Sequence, residues 1–171
     1  MTGVRNIVLI GFMGAGKSVV GKSLANAMSR PFFDTDTMVE ETVGATIEDM
    51  FATVGEEAFR EIETRTIQDL ADLKGAVIAT GGGALKNPEN VEALKRESFV
   101  IYLYAKPEIL FERIKGDSGR PIADNMKTFD DMRSVLAERE PLYRKVADFT
   151  IDTSDKPINV VEHDIFKTIG Y

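Results

Sequence analysis

Apolar residues come in short runs separated by longer amphipathic stretches. Val4 to Ile10 is an apolar run closing on Gly11, the pattern of a strand buried on both faces of a parallel sheet. A helical pattern follows from about Lys17 to Met28, then a brief strand at Pro31–Asp34. Residues 36–73 read as mostly helical, punctuated by Gly44 and Gly55; Phe59, Ile62, Thr66, Leu70 and Leu73 form the apolar stripe of their last helix. Ala76 to Ala79 is a third strand, ended by Thr80-Gly81-Gly82-Gly83. Pro88 opens a helix, Phe99 to Tyr104 is a fourth strand, and Pro107 opens another helix. Residues 115–126 are polar and contain Gly116, Gly119 and Pro121, so they predict a loop. Thr128 with Asp131 predicts a capping box on a helix to about Glu140, disturbed by Pro141. Asp148 to Asp152 is a fifth strand and Pro157 starts a last helix. Strands alternating with helices predict an α/β fold, a parallel sheet covered on both faces. Without repeats or linkers, the 171 residues are expected to form one domain, 1–171.

Composition narrows the function. The absence of cysteine excludes a thiol nucleophile and a disulfide framework, and one histidine, His163, excludes a histidine-rich metal site. His163 is expected on the surface of the last helix. Met28, Met38, Met50 and Met132 are expected in the core or on helix surfaces. The chain carries 21 basic and 28 acidic residues, net −7, with the surplus concentrated in residues 31–75. That balance disfavours nucleic acid as a partner. No apolar run nears a membrane span, and the first strand leaves no room for a leader before it, so a cytoplasmic protein is expected.

The chemistry begins at Gly11-Phe12-Met13-Gly14-Ala15-Gly16-Lys17-Ser18, which fits G-x-x-x-x-G-K-S/T between a strand and a helix. Glycines in such a loop aim backbone N–H groups at phosphate oxygens, and the helix N-terminus adds a favourable dipole. Lys17 reaches the β/γ-phosphates and Ser18 can ligate Mg²⁺. No Asn-Lys-x-Asp segment is present, which excludes a GTPase. Neither Thr80 nor Tyr104, at the third and fourth strand ends, supplies the acidic residue of an ATP-driven motor.

A second group of residues suits an acceptor. In an extended segment, Asp34-Thr35-Asp36 places two carboxylates on one side. Asp34 can hold Mg²⁺, Asp36 can take a proton from an alcohol, and either can instead be the cap of the helix that follows. Arg60 flanks a helix stripe with Glu56 and Glu63 at contact spacing, which also fits a surface ion pair. Arg139 falls on the stripe of Phe129, Met132 and Leu136, where a guanidinium needs an anion and grips a carboxylate through two hydrogen bonds. Gly81-Gly82-Gly83 permits close approach of a ligand at the carboxyl edge of the sheet. Arg120 lies in the 115–126 loop, which can close over a nucleotide or be an ordinary solvated loop.

In these ordered motifs the chain resembles the shikimate kinase family from about residue 4 to 160. They are the Gly11–Ser18 loop, Asp34-Thr35-Asp36, Gly55-Glu56 with Phe59-Arg60 and Glu63, Thr80 to Gly83, Arg120-Pro121, and Arg139 with Pro141-Leu142-Tyr143 and Val146-Ala147-Asp148. The resemblance implies a fold like that of nucleoside monophosphate kinases, with five parallel strands in the order 2-3-1-4-5. It implies Mg²⁺-dependent transfer of the ATP γ-phosphate to the 3-hydroxyl of shikimate, in chorismate and aromatic amino-acid biosynthesis, by an expected monomer. Carried over by position, Gly14, Ala15, Gly16, Lys17, Ser18 and Val19 surround ATP, with Arg113 and Pro157 at adenine and Arg120 in a lid. Ser18 and Asp34 are associated with the metal. Asp36 binds the shikimate hydroxyls within a region spanning about 34–63, Arg60 and Arg139 clamp the carboxylate, and Gly81, Gly82 and Gly83 line the pocket. A gluconate-type kinase would need a Gly-Asp-x-Leu-His-Pro-like segment where Thr37-Met38-Val39 stands. A catalytically silent nucleotide-binding protein is the remaining alternative, and the intact set of charged residues argues against it.

Overall fold

Every strand runs parallel to its neighbours, and all five lie in one sheet ordered β2-β3-β1-β4-β5. The computed structural model describes residues 4–117 and 126–171. The strands are β1 (Asn6–Ile10), β2 (Phe32–Asp34), β3 (Val77–Ala79), β4 (Ser98–Tyr104) and β5 (Phe149–Asp152). The helices are α1 (Lys17–Ala27), α2 (Thr35–Val43), α3 (Ile47–Thr53), α4 (Gly55–Ala71), α5 (Pro88–Lys95), α6 (Pro107–Gly116), α7 (Phe129–Val146) and α8 (Ile158–Ile169). A short 3₁₀ turn, Ala84–Lys86, follows the glycine run. Among the described residues no helix is long and apolar enough to cross a membrane. His163 is exposed, while Met28, Met50 and Met132 are buried and Met38 is half-buried.

β1 is the middle strand, and all five of its residues are buried between helical layers. This explains its unbroken apolar run: a parallel strand covered on both faces has no polar side to show. The register pairs Val8 with Ile78 on one side and Val100 on the other, so the core is continuous across the sheet. Crossover connections send the chain back each time, and the loops after β1, β2 and β3 gather at one sheet edge.

α1 packs on the sheet at Gly21. A Cβ there would stand 2.4 Å from Phe32 Cε2 and 3.3 Å from Leu9 Cδ1. Gly21→Ala is expected to overpack this contact and lower stability by about 1–2 kcal/mol net of the better helix propensity. Urea unfolding checks this; an unchanged midpoint would mean that the Phe32 ring moves aside freely.

Several expectations need correction. Asp34 ends β2 and is itself the N-cap of α2, so Thr35 and Asp36 are helical and not extended. The two carboxylates meet different groups, Asp34 the Ser18 hydroxyl and Asp36 the Gly81 backbone. In α4 the buried positions are Phe59, Glu63, Thr64, Ile67, Leu70 and Ala71, with Ile62 and Thr66 only partly covered; Leu73, beyond the helix, is exposed. The burial of Glu63 draws the stripe one position along. α7 does not stop at Glu140 but runs to Val146 through Pro141. Pro141 and Ala137, whose carbonyl loses its N–H partner, both face outward, where water can satisfy the oxygen. The stripe therefore continues from Met132, Leu136 and Arg139 to Tyr143 and Val146. α6 also extends to Gly116, taking the first two residues of the expected loop. Arg120 and most of that loop lie outside the described residues. The Thr128–Asp131 capping box is present as expected.

Candidate active site

Gly16 leads into α1 with φ 91°, a left-handed conformation that glycine adopts without strain. α1 has no side-chain cap and no acidic residue in its first turn. Its leading amides are thus left to bind an anion, aided by the helix dipole. The Lys17 ammonium donates to the carbonyls of Gly11 (2.8 Å) and Phe12 (2.9 Å), which fixes its charge within the loop. Ser18 Oγ donates to Asp34 Oδ2. Asp34 Oδ1 accepts from the amides of Asp36 (3.1 Å) and Thr37 (3.3 Å). One carboxylate thus ends a strand, caps a helix and engages the serine of the phosphate loop. Val19, in the first turn of α1, is 55% exposed.

The glycine run after β3 lies directly beneath side chains from three helices, which its missing side chains let approach. A Cβ on Gly81 would stand 2.6 Å from Asp36 Oδ1 and 3.2 Å from Glu63 Oε2. One on Gly82 would stand 3.1 Å from Arg139 Nη1, and one on Gly83 would stand 2.7 Å from Arg60 Nη2. Side chains from α2, α4 and α7 therefore converge on three consecutive peptide units. Thr35, fully buried, holds this floor to α2, its Oγ1 accepting from the Gly81 amide at 3.0 Å.

Arg60 is both an ion-pair member and a pocket residue. It donates to Glu63 Oε1 at 2.8 Å and lies 3.3 Å from Glu56 Oε1, while its side chain stays partly open. Glu63 is 1% exposed, and its Oε2 has no partner. Burial pushes its carboxyl above the ordinary 4.5; the Arg60 charge and hydrogen bond oppose that, and the Asp36 charge adds to it. The folded chain therefore keeps this proton to higher pH than the unfolded chain does. Glu63 erodes stability as pH rises from 4.5 through its raised folded value. Relative to wild type, Glu63→Gln is expected to gain stability across that window and then level off. Urea unfolding from about pH 4 to pH 7 checks it. A stability difference independent of pH would show that the native and unfolded values coincide.

Arg113 Nη1 donates to the Gly14 carbonyl at 3.2 Å, and its Nη2 to the Thr153 carbonyl at 2.9 Å. It joins the phosphate loop to the segment after β5. Pro157 is the exposed N-cap of α8 on the same segment.

Sequence reasoning named Lys17, Ser18, Asp34, Asp36, Arg60, Arg139 and the three glycines, and the fold brings them to one edge of the sheet. It placed Glu63 at contact spacing from Arg60 but had no sign of its burial. It gave no part to Thr35, whose hydroxyl is an unremarkable sequence signal.

A phosphate loop with open amides, beside a glycine run on which two carboxylates and two arginines converge, is the arrangement of a P-loop kinase acting on a small anionic acceptor. The family model for shikimate kinase matches residues 13–170, and the chain belongs to that family. A shikimate kinase of Thermoanaerobacter pseudethanolicus is 43% identical over 164 residues, covering 96% of this chain and 95% of that protein. One from Vibrio campbellii is 41% identical, covering 96% of each. Among solved structures, the shikimate kinase of Acinetobacter baumannii in complex with shikimate superposes with a TM-score of 0.91 at 39% identity, covering 97% of this chain and 93% of that one. A gluconokinase from Sinorhizobium meliloti shares the fold at a TM-score of 0.59 and 16% identity, covering 97% and 91%.

Proposed function

We propose that this protein is a single kinase domain that transfers the γ-phosphate of ATP to the 3-hydroxyl of shikimate. The observation that carries the reading is the convergence of Asp36, Arg60 and Arg139 on Gly81–Gly83, beside the phosphate loop. The open amides of the loop hold the phosphates, with Lys17 adding positive charge where the transferring group becomes more anionic. Arg60 and Arg139 hold the shikimate carboxylate, which fixes the ring and presents its hydroxyls to Asp36. Asp36 orients the attacking hydroxyl and takes its proton. The hydroxyl oxygen forms a bond to the γ-phosphorus as the bond to the β-phosphate oxygen breaks, and ADP leaves with that electron pair. Positioning supplies most of the acceleration, so no strong base is required. Arg113, through Gly14 and Thr153, keeps the nucleotide side of the loop in register, near Pro157 and Val19.

Ser18 and Asp34 fit Mg²⁺: both are hard oxygen donors, already paired, beside the open amides of α1. When bound with ATP, the ion neutralises phosphate charge there.

ADP release coupled to NADH oxidation tests the reading, with shikimate and gluconate as alternative acceptors. Shikimate-dependent ADP release is expected. ATP binding without ADP release on shikimate would overturn it.

A further inference from the structure

The two arginines of the acceptor pocket are held in opposite ways. Arg60 is fixed by carboxylates, Glu63 and Glu56, which offset part of its charge. Arg139 sits against neutral groups, with the Glu63 charge farther off. Its guanidinium carbon lies 5.6 Å from the ring centroid of Phe12, a residue of the phosphate loop. Its Nε is buried with no hydrogen-bond partner, so no acceptor grips that edge. One helical turn on, Tyr143 is 1% exposed, and its hydroxyl donates to the Gly82 carbonyl at 2.6 Å. The tyrosine oxygen and the Arg139 guanidinium lie beside the same glycine: a Cβ on Gly82 would stand 3.7 Å from the one and 3.1 Å from Nη1 of the other. Burial pushes this phenol up to about 12, and the Arg139 charge works against that rise. The Tyr143 ring is fixed in turn against Tyr102, with centroids 5.2 Å apart.

We propose that Phe12 and Tyr143 are positioning residues for Arg139, aiming its guanidinium over Gly82 without pairing its charge, which stays available to the acceptor's carboxylate. The π face of Phe12 attracts the cation without supplying a counter-charge. The Tyr143 oxygen fixes the rotation about the side chain, and the same hydroxyl ties Gly82, the floor below, to the same point. A carboxylate entering the pocket then meets a fork whose orientation is already set, so less conformational freedom is lost on binding. The Phe12 contact also joins the acid-binding side chain to the loop whose carbonyl holds Lys17. This inference rests on the reading of Arg139 as a carboxylate ligand.

Steady-state kinetics of Tyr143→Phe, Phe12→Leu, Arg139→Lys and the Tyr143→Phe/Arg139→Lys double variant test it. Tyr143→Phe keeps the ring and its packing and removes only the hydroxyl. Tyr143→Phe and Phe12→Leu are each expected to raise the KM for shikimate about fivefold, with kcat and the KM for ATP within about twofold. Arg139→Lys should raise the KM for shikimate by more, and in its background Tyr143→Phe should add less than about twofold. Full additivity would show that Tyr143 acts independently of Arg139, and equal losses for shikimate and ATP would show a general structural part; either would overturn the proposal. Weakened binding in Arg139→Lys with unchanged binding in Tyr143→Phe would overturn the positioning role and leave the carboxylate reading standing. An unchanged KM in Arg139→Lys would overturn both. Circular dichroism verifies folding; if Phe12→Leu does not fold, the Tyr143–Arg139 cycle decides alone.

Discussion

Asp36→Asn is expected to lower kcat by about 10²- to 10⁴-fold while changing ATP affinity less than about twofold, the range a positioned proton acceptor contributes. The argument starts from the junction of β2 and α2. Asp34 takes the capping role, accepting the amides of Asp36 and Thr37, so Asp36 is free of that duty. Its carboxylate instead lies at the glycine floor, where a Cβ on Gly81 would reach it at 2.6 Å. Asparagine has the same shape and keeps the helix intact, so the thermal midpoint should move by no more than about 2 °C. What it loses is the capacity to accept a proton and to carry negative charge beside the acceptor's hydroxyls. Coupled ADP release gives kcat, calorimetric titration gives ATP affinity, and a thermal melt gives stability. Equal losses of turnover and ATP affinity would assign Asp36 a structural part.

Lys17→Met is expected to reduce kcat/KM for ATP by about 10²- to 10³-fold, the typical cost of removing one preorganised charge from a transition state. Methionine preserves much of the stem, so loop packing changes little. The Gly11 and Phe12 carbonyls lose the ammonium that both accept from, a local cost of about 1 kcal/mol. The kinetic loss should therefore far exceed the stability loss. A decrease below about tenfold would show that the backbone amides alone hold and polarise the phosphates.

The elements that were legible in the sequence are those whose local and tertiary demands agree. β1 reads as buried because both faces are covered, and the Thr128 capping box reads directly because its partners are three residues apart. The failures share a physical form: a polar side chain takes a role that a pattern reserves for something else. Asp34 breaks the strand that the period-two argument extended through it. Glu63 occupies a core position that apolar counting gave to Ile62, because Arg60 compensates part of its charge. Pro141 does not end α7, because the carbonyl it orphans faces water. Tyr143 stands in a sequence motif, but its role is not legible there, because the stripe is not followed beyond Pro141.

In the function proposed above, the sheet order divides the labour between substrates. Asp36, Arg60, Glu63 and the glycine run all belong to the chain between β2 and the turn that follows β3, on one flank of β1. Arg113 and the segment after β5 lie on the other flank. Variation in the first flank can reshape what is phosphorylated while the nucleotide side stays as it is, which makes acceptor choice an inheritable module. Arg139 is the exception, reaching the acceptor pocket from α7 on the nucleotide flank. A new acceptor grafted through the β2–β3 flank alone would still be met by that guanidinium, so such lineages remain biased toward acids.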